Sequence, residues 1–136
     1  KSLITSLTTL NVKNINVIGP KILMPENLDT LKVNYHESLE TGISKCDVVI
    51  MLRLQKERMH EALISTDDYY QNYGLTKKKL QSAAKDVIVM HPGPINRGIE
   101  IDSEVADGKN SVILDQVTSG ISIRMAIMTL IIKNRA

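Results

Sequence analysis

The sequence contains no phenylalanine, no tryptophan and only four tyrosines. Its core must therefore be built from Ile, Leu, Val and Met, and no basic run is joined to an aromatic platform of the kind that stacks bases. The single cysteine, Cys46, excludes an internal disulfide; next to an apolar run it reads as a small core residue. The excess of positive charge is only +2, too little for a nucleic-acid partner. The short run Lys77-Lys78-Lys79 reads as a solvated helix face. No apolar stretch approaches the roughly 18 residues of a membrane span, since the greasiest one, residues 125–132, is interrupted by Thr129. The opening Lys1-Ser2-Leu3-Ile4 leads into a mixed polar and apolar stretch, so no signal peptide is expected. The expectation is a cytoplasmic protein without a membrane or nucleic-acid partner.

What is present fits one globular domain: 136 residues, 43% hydrophobic and 24% charged. Leu3, Leu7 and Leu10 share a helical face. Residues 14–18 read as a strand closed by Gly19-Pro20, residues 25–28 as the opening of a short helix, and residues 32–35 as a weak strand. Ser38 is an N-cap candidate for a helix over 38–46, with Glu40 in its first turn. The apolar runs 48–52 and 87–90 read as buried parallel strands. Between them lie a helical turn at 67–73, ended by Gly74, and a helix over 77–84 capped by Thr76. A helical turn at 103–107 and helices over 112–117 and 121–133 complete the chain. Strands alternating with helices predict an α/β class with a parallel sheet. Ile121, Met125, Met128 and Ile132 form one stripe of the last helix, and Ile123, Ile127, Leu130 and Ile131 cover much of the rest. A helix apolar nearly all round is buried nearly all round, so one side needs a second domain or subunit beyond the sheet.

Ligands of open α/β sheets sit outside the carboxyl ends of the strands. That rule selects two segments, and strands adjacent in sequence are often adjacent in space. The first strand end delivers Arg53 and Gln55. Arg53 offers a planar donor fork for a carboxylate or phosphate; an ion pair with Glu57 or a neighbouring helix is an equally good reading. The second delivers His91-Pro92-Gly93-Pro94. Two prolines leave this segment rich in backbone acceptors and poor in donors, and Gly93 permits close approach of a ligand. It suits a group with spare donors such as an amide, although taken alone a rigid strand-ending turn explains it better. Other signals carry less. His36, His60 and His91 have no metal-ligand spacing, and His60-Glu61 lacks the second His of a zinc-protease helix. Gly19 is not a dinucleotide fingerprint. Ser65, Ser119 and Ser122 lack a nucleophile elbow, and Asp67-Asp68 reads as a helix start.

Taken together, residues 53–58 (Arg-Leu-Gln-Lys-Glu-Arg) and His91-Pro92-Gly93-Pro94 resemble the aspartate carbamoyltransferases. The likeness continues through residues 95–101 (Ile-Asn-Arg-Gly-Ile-Glu-Ile), 73–76 (Tyr-Gly-Leu-Thr) and 120–126 (Gly-Ile-Ser-Ile-Arg-Met-Ala). The loop version is similar to that of the bacterial branch. The Ser-Met-Gly and His-Cys-Leu-Pro segments of the sister ornithine family are absent, which implies aspartate as acceptor.

The resemblance implies a Rossmann-like, doubly wound, three-layer α/β fold over residues 1–136, the aspartate-binding domain lacking its first strand. That strand, expected to be central in the sheet, would precede the opening helix in a longer chain. The long C-terminal helix would pack on a partner domain. The implied reaction joins L-aspartate and carbamoyl phosphate into N-carbamoyl-L-aspartate and phosphate, the committed step of pyrimidine synthesis, without metal or cofactor. Arg53 and Gln55 would bind aspartate, and carbonyls around Pro92, Gly93 and Pro94 would hold the carbamoyl NH2. Arg58, His91, Arg97 and Glu100 would support the loop or couple domain closure. A cis Gly93–Pro94 bond is implied as well. No catalytic residue falls in this segment: the family's Ser-Thr-Arg-Thr phosphate loop, carbonyl-polarising His and phosphate-reaching Lys and Arg belong to an N-terminal carbamoyl-phosphate domain, and the complete enzyme would be a homotrimer. A second aspartate-binding Arg would lie just before the opening helix. The alternatives are a non-catalytic assembly module of the same fold, or a carbamoyltransferase with another amino acceptor.

Overall fold

A computed structural model of the chain describes residues 2–26, 28–54 and 64–134. Helix α1 (Ser2–Thr9) leads into strand β1 (Asn16–Ile18), which pairs in parallel with β2 (Asn34–His36). Short 3₁₀ turns at Lys21–Leu23 and Leu28–Thr30 lie between them. Helix α2 (Leu39–Gly42) starts at Ser38, whose hydroxyl accepts the Thr41 N–H and so satisfies one orphan donor of the first turn. Strand β3 (Val48–Ile50) follows.

Helix α3 (Thr66–Tyr73) is capped by Ser65, with Asp67 and Asp68 in its first turn where the helix dipole favours negative charge. Helix α4 (Lys77–Leu80) is capped by Thr76, and of its basic face Lys79 reaches back to the Gln71 carbonyl at 2.6 Å. Strand β4 (Ile88–Met90) pairs in parallel with β3 in the register Val48↔Ile88, Val49↔Val89, Ile50↔Met90. Helices α5 (Ser103–Ala106) and α6 (Ile113–Lys133) close the described chain. Among the described residues no helix is long and apolar enough to cross a membrane.

The α/β class and the parallel pairing are as expected, with three differences. First, the four strands form two separate two-stranded sheets, β1–β2 and β3–β4, in place of the one sheet read from the alternation of elements; a gap of this kind agrees with the expected lack of a central strand. Second, β3 and β4 are buried on one face only: Val49 and Val89 are inside, while their neighbours Val48 and Ile88 are 44% and 38% exposed. A continuous apolar run implies cover on both faces, and among the described residues the second cover is missing. Third, residues 113–133 are one unbroken helix, because a mid-helix glycine weakens a helix by only about 1 kcal/mol relative to Ala and Gly120 does not end it. Only Ile113 of α6 is buried; Leu114, Met125 and Ile132 are among those well exposed, so among the described residues nothing buries a side of the helix beyond its first turn.

The core lies against β3 and β4, where Val49, Met51, Val87 and Val89 meet Leu75, Ile101 and Ile113. Cys46 packs partly buried against it. At Gly42 helix α2 comes close against the β1–β2 sheet. A Cβ added there would lie 2.5 Å from Cγ1 and 2.6 Å from Cδ1 of Ile18, and 3.1 Å from Cβ of His36. Overpacking of this kind costs about 1–3 kcal/mol. Gly42→Ala is therefore expected to lower the urea midpoint of unfolding by a corresponding amount, whereas Gly120→Ala, whose new methyl meets nothing nearer than Arg124 Nη1 at 3.6 Å, should leave it unchanged or raise it.

Candidate functional site

Parallel pairing carries β3 and β4 to the same edge of their sheet, so residues 51–54 and 91–94 leave it side by side. The Met51 N–H donates to the Met90 carbonyl at 2.9 Å, extending the ladder past β3. Beyond it Leu54 is buried, while Leu52 and Arg53 are exposed at the rim. A second tie crosses the gap: Asn96 Nδ2 donates to the Leu54 carbonyl at 3.3 Å. The two strand ends selected from the sequence thus converge. Gln55 and Arg58 lie outside the described residues.

The loop after β4 is held from beneath. His91 is fully buried. Its N–H donates to Gln116 Oε1 on α6 at 3.1 Å, and its Nδ1 accepts the Gly93 N–H at 2.8 Å. With Nδ1 as acceptor, the proton of the neutral ring sits on Nε2. That atom lies 3.3 Å from Oε1 of Glu100, which is also fully buried. The contact is poorly aligned, and neither Nε2 nor the second oxygen, Oε2, has a hydrogen-bond partner among the described residues. Oε1 itself accepts the Asn96 N–H at 2.5 Å. His91 therefore bonds the loop directly and Glu100 holds the residue that grips Leu54. Pro92 and Pro94 are exposed above them, Gly93 adopts φ +69°, and the Gly93–Pro94 peptide is cis, as the resemblance implies.

Loss of solvent pushes the His91 imidazole below its usual range, against the pull of the nearby Glu100 carboxylate. The ring is therefore kept neutral. Arg97 behaves differently from the other motif residues. Its guanidinium forms a two-pronged pair with Asp107 at 2.7 and 2.8 Å on the surface. The hydrogen bond from Arg97 holds the Asp107 carboxyl below its ordinary value. Arg97 so anchors the far end of the loop to the turn after α5 and does not point its charge at the strand ends.

Sequence reasoning missed two participants. Asn96 lies inside a recognisable stretch, but its bond to Leu54 spans 42 residues. Gln116 carries no local signal, and only the packing of α6 on β4 brings it to His91.

Two parallel strand ends that converge on an exposed Arg and an acceptor-rich loop are the arrangement beside which open α/β sheets bind their ligands. The family is more specific: residues 1–131 match the family described as aspartate/ornithine carbamoyltransferase, Asp/Orn binding domain, and the chain belongs to it. The chain is similar to the aspartate transcarbamoylase of Trypanosoma cruzi in complex with carbamoyl aspartate and phosphate, at 25% identity and a TM-score of 0.76, over 93% of this chain and 44% of that one. It is similar to the ornithine carbamoyltransferase of Burkholderia thailandensis E264 at 16% identity and a TM-score of 0.75, over 93% and 41%. The Thermus thermophilus ornithine carbamoyltransferase aligns at 18% identity and a TM-score of 0.69, over 85% and 38%. The chain therefore spans about two fifths of the length of these relatives.

The folded state disfavours the proton on His91, so protonation favours unfolding. Stability is present above the ordinary imidazole value of 6.5 and is lost as pH falls below it. The urea midpoint should drop between about pH 7.5 and about pH 5.5, and drop less in His91→Gln. Glu100→Ala removes the acceptor of the Asn96 N–H, at about 1–3 kcal/mol for an orphaned group. Denaturant unfolding at neutral pH should show that loss.

Proposed function

We propose that this chain is the amino-acid-binding part of an aspartate carbamoyltransferase, which joins carbamoyl phosphate and L-aspartate into N-carbamoyl-L-aspartate and phosphate. The observation that carries this reading is the convergence of Arg53 with the acceptor-rich Pro92-Gly93-Pro94 loop at adjacent parallel strand ends.

The two halves of the crevice divide the work. The Arg53 fork pairs with an aspartate carboxylate, and Gln55 helps place the same substrate. The prolines remove donors around Gly93, so the loop turns carbonyl oxygens toward the carbamoyl NH2 and accepts its hydrogens. The aspartate amine attacks the carbonyl carbon, a tetrahedral adduct forms, the bond from that carbon to the phosphate oxygen breaks, and the amine gives up its proton as phosphate leaves. This chain contributes positioning and electrostatic stabilisation to that sequence. The phosphate-binding groups come from an N-terminal carbamoyl-phosphate domain, and the exposed apolar side of α6 suits its packing. The complete enzyme is read as a cytoplasmic homotrimer serving pyrimidine synthesis.

Solved structures similar to this chain include enzymes for both acceptors, so the choice between them rests on charge. An arginine at the end of β3 attracts the side-chain carboxylate of aspartate and repels the side-chain ammonium of ornithine. The absence of the ornithine family's Ser-Met-Gly and His-Cys-Leu-Pro segments supports the same choice.

Loss of one charge-assisted contact costs about 1.5–3 kcal/mol. In the complete enzyme, Arg53→Ala is expected to raise the KM for aspartate by roughly 10- to 150-fold, with a much smaller change for carbamoyl phosphate. Steady-state kinetics with each substrate varied in turn checks this. An unchanged aspartate KM removes Arg53 from the site, and a higher kcat/KM with ornithine than with aspartate overturns the choice of acceptor.

A further inference from the structure

The stretch Pro92-Gly93-Pro94 has a single backbone donor, the Gly93 N–H, because proline has none. Nδ1 of His91 takes that donor at 2.8 Å. The ring that accepts it is fully buried. The backbone N–H of the same residue is fixed at 3.1 Å to Gln116, on the first turn of α6.

Nδ1 accepts only while it carries no proton. A neutral imidazole has two tautomers, and one of them places the proton on Nδ1. In that tautomer two N–H groups would face each other across the same gap. Glu100 selects between the two. Its Oε1 lies 3.3 Å from Nε2, so the carboxylate draws the proton to Nε2 and leaves Nδ1 bare. Among the described residues Glu100 is the charged group that acts on the ring. Helix α6 faces the ring with the uncharged Gln116. Tyr69 of α3 lies within electrostatic reach of Glu100, and burial pushes its phenol up, so it brings no charge at neutral pH.

A second proton on the ring acts oppositely at its two ends. At Nε2 the attraction to Glu100 grows. The Asn96 N–H on Glu100 and the tie from Asn96 to the Leu54 carbonyl keep their places. At Nδ1 the acceptor is lost, and the Gly93 N–H has to leave. The loop is released while the strand end that carries Arg53 stays.

We propose that His91 is a positioning residue for carbamoyl phosphate. Neutral and protonated at Nε2, as Glu100 selects, it holds the Gly93 peptide so that the loop carbonyls meet the carbamoyl NH2. A proton on Nδ1 releases them. This rests on the function proposed above for the loop and is independent of the amino acceptor.

The test uses the complete enzyme with His91→Asn and His91→Gln. Asn ends its side chain at the δ position and offers an amide oxygen where Nδ1 stood, without titrating. Gln carries its amide one carbon further, toward Glu100. At pH 8 the KM for carbamoyl phosphate is expected to rise about tenfold in His91→Gln, the worth of one hydrogen bond, and less in His91→Asn. The aspartate KM, taken at saturating carbamoyl phosphate, should change far less in both. Between pH 8 and about pH 5.5, the KM for carbamoyl phosphate should rise severalfold more in wild type than in His91→Asn. Both meet the same titration of the substrates, so the difference belongs to the ring. This comparison stands even if His91→Gln does not fold. Amide exchange over residues 91–96, followed by mass spectrometry, reads the Gly93 bond without turnover, and should be about tenfold faster in His91→Gln than in wild type at pH 8.

Coincident pH profiles of wild type and His91→Asn overturn this proposal alone. So does equal exchange at Gly93 in wild type and His91→Gln, or an equal rise in both KM values, which a general loosening of the fold would give. An enzyme that neither binds nor turns over carbamoyl phosphate overturns the function proposed above, and the substrate named here with it, whatever the exchange shows.

Discussion

The parallel pairing of β3 with β4 is the constraint on which the rest of this chain depends. Val49 opposite Val89 seats the core, since both side chains are buried on the same face. The same register brings both carboxyl ends to one edge, so Arg53 and the His91–Pro94 segment emerge together. A shift of one strand by one residue would turn that strand's core valine, Val49 or Val89, outward and would move Arg53 relative to the loop. Core and candidate site are thus two consequences of one hydrogen-bonded ladder.

Beneath the exposed loop lies a buried polar arrangement that is only partly satisfied. His91 holds the Gly93 N–H and is held by Gln116, while Glu100 grips the Asn96 N–H. The cost of burying an imidazole and a carboxylate is offset by fixing a loop that has few donors with which to fix itself. Its exposed rim can then be given over to acceptors. Arg97 and Asp107 hold the loop's other end at the surface, where the solvent screens them and geometry matters more than energy.

The chain is also marked by surfaces that nothing described here covers. Val48 and Ile88 stand on the open face of β3–β4, most of α6 is bare, and β1 and β3 border a common cavity. Monomeric proteins seldom leave so much contiguous apolar surface open. The relatives are more than twice as long as this chain, and β1–β2 and β3–β4 form two separate sheets.

Much of this was legible in the sequence because it is local. The alternation of strands and helices, the caps at Ser38 and Thr76 and the two strand ends follow from propensity, apolar runs and capping chemistry. The short motifs at 53–58 and 91–101 carried the family resemblance. Element lengths were less legible: residues 112–117 and 121–133 read as two helices because Gly120 weakens a helix without having to break it. Residues 48–52 and 87–90 read as buried on both faces, because a sequence shows how apolar a run is and not what lies above it. The sequence by itself determined the class, the family and the residues at the strand ends. Only the tertiary structure decided that Asn96 bonds Leu54, that Gln116 reaches His91, that Arg97 turns to Asp107 and where the sheet divides. Each of these is a contact between residues far apart in the chain or a gap between elements, and their placement depends on how whole elements pack, to which no local pattern of side chains is sensitive.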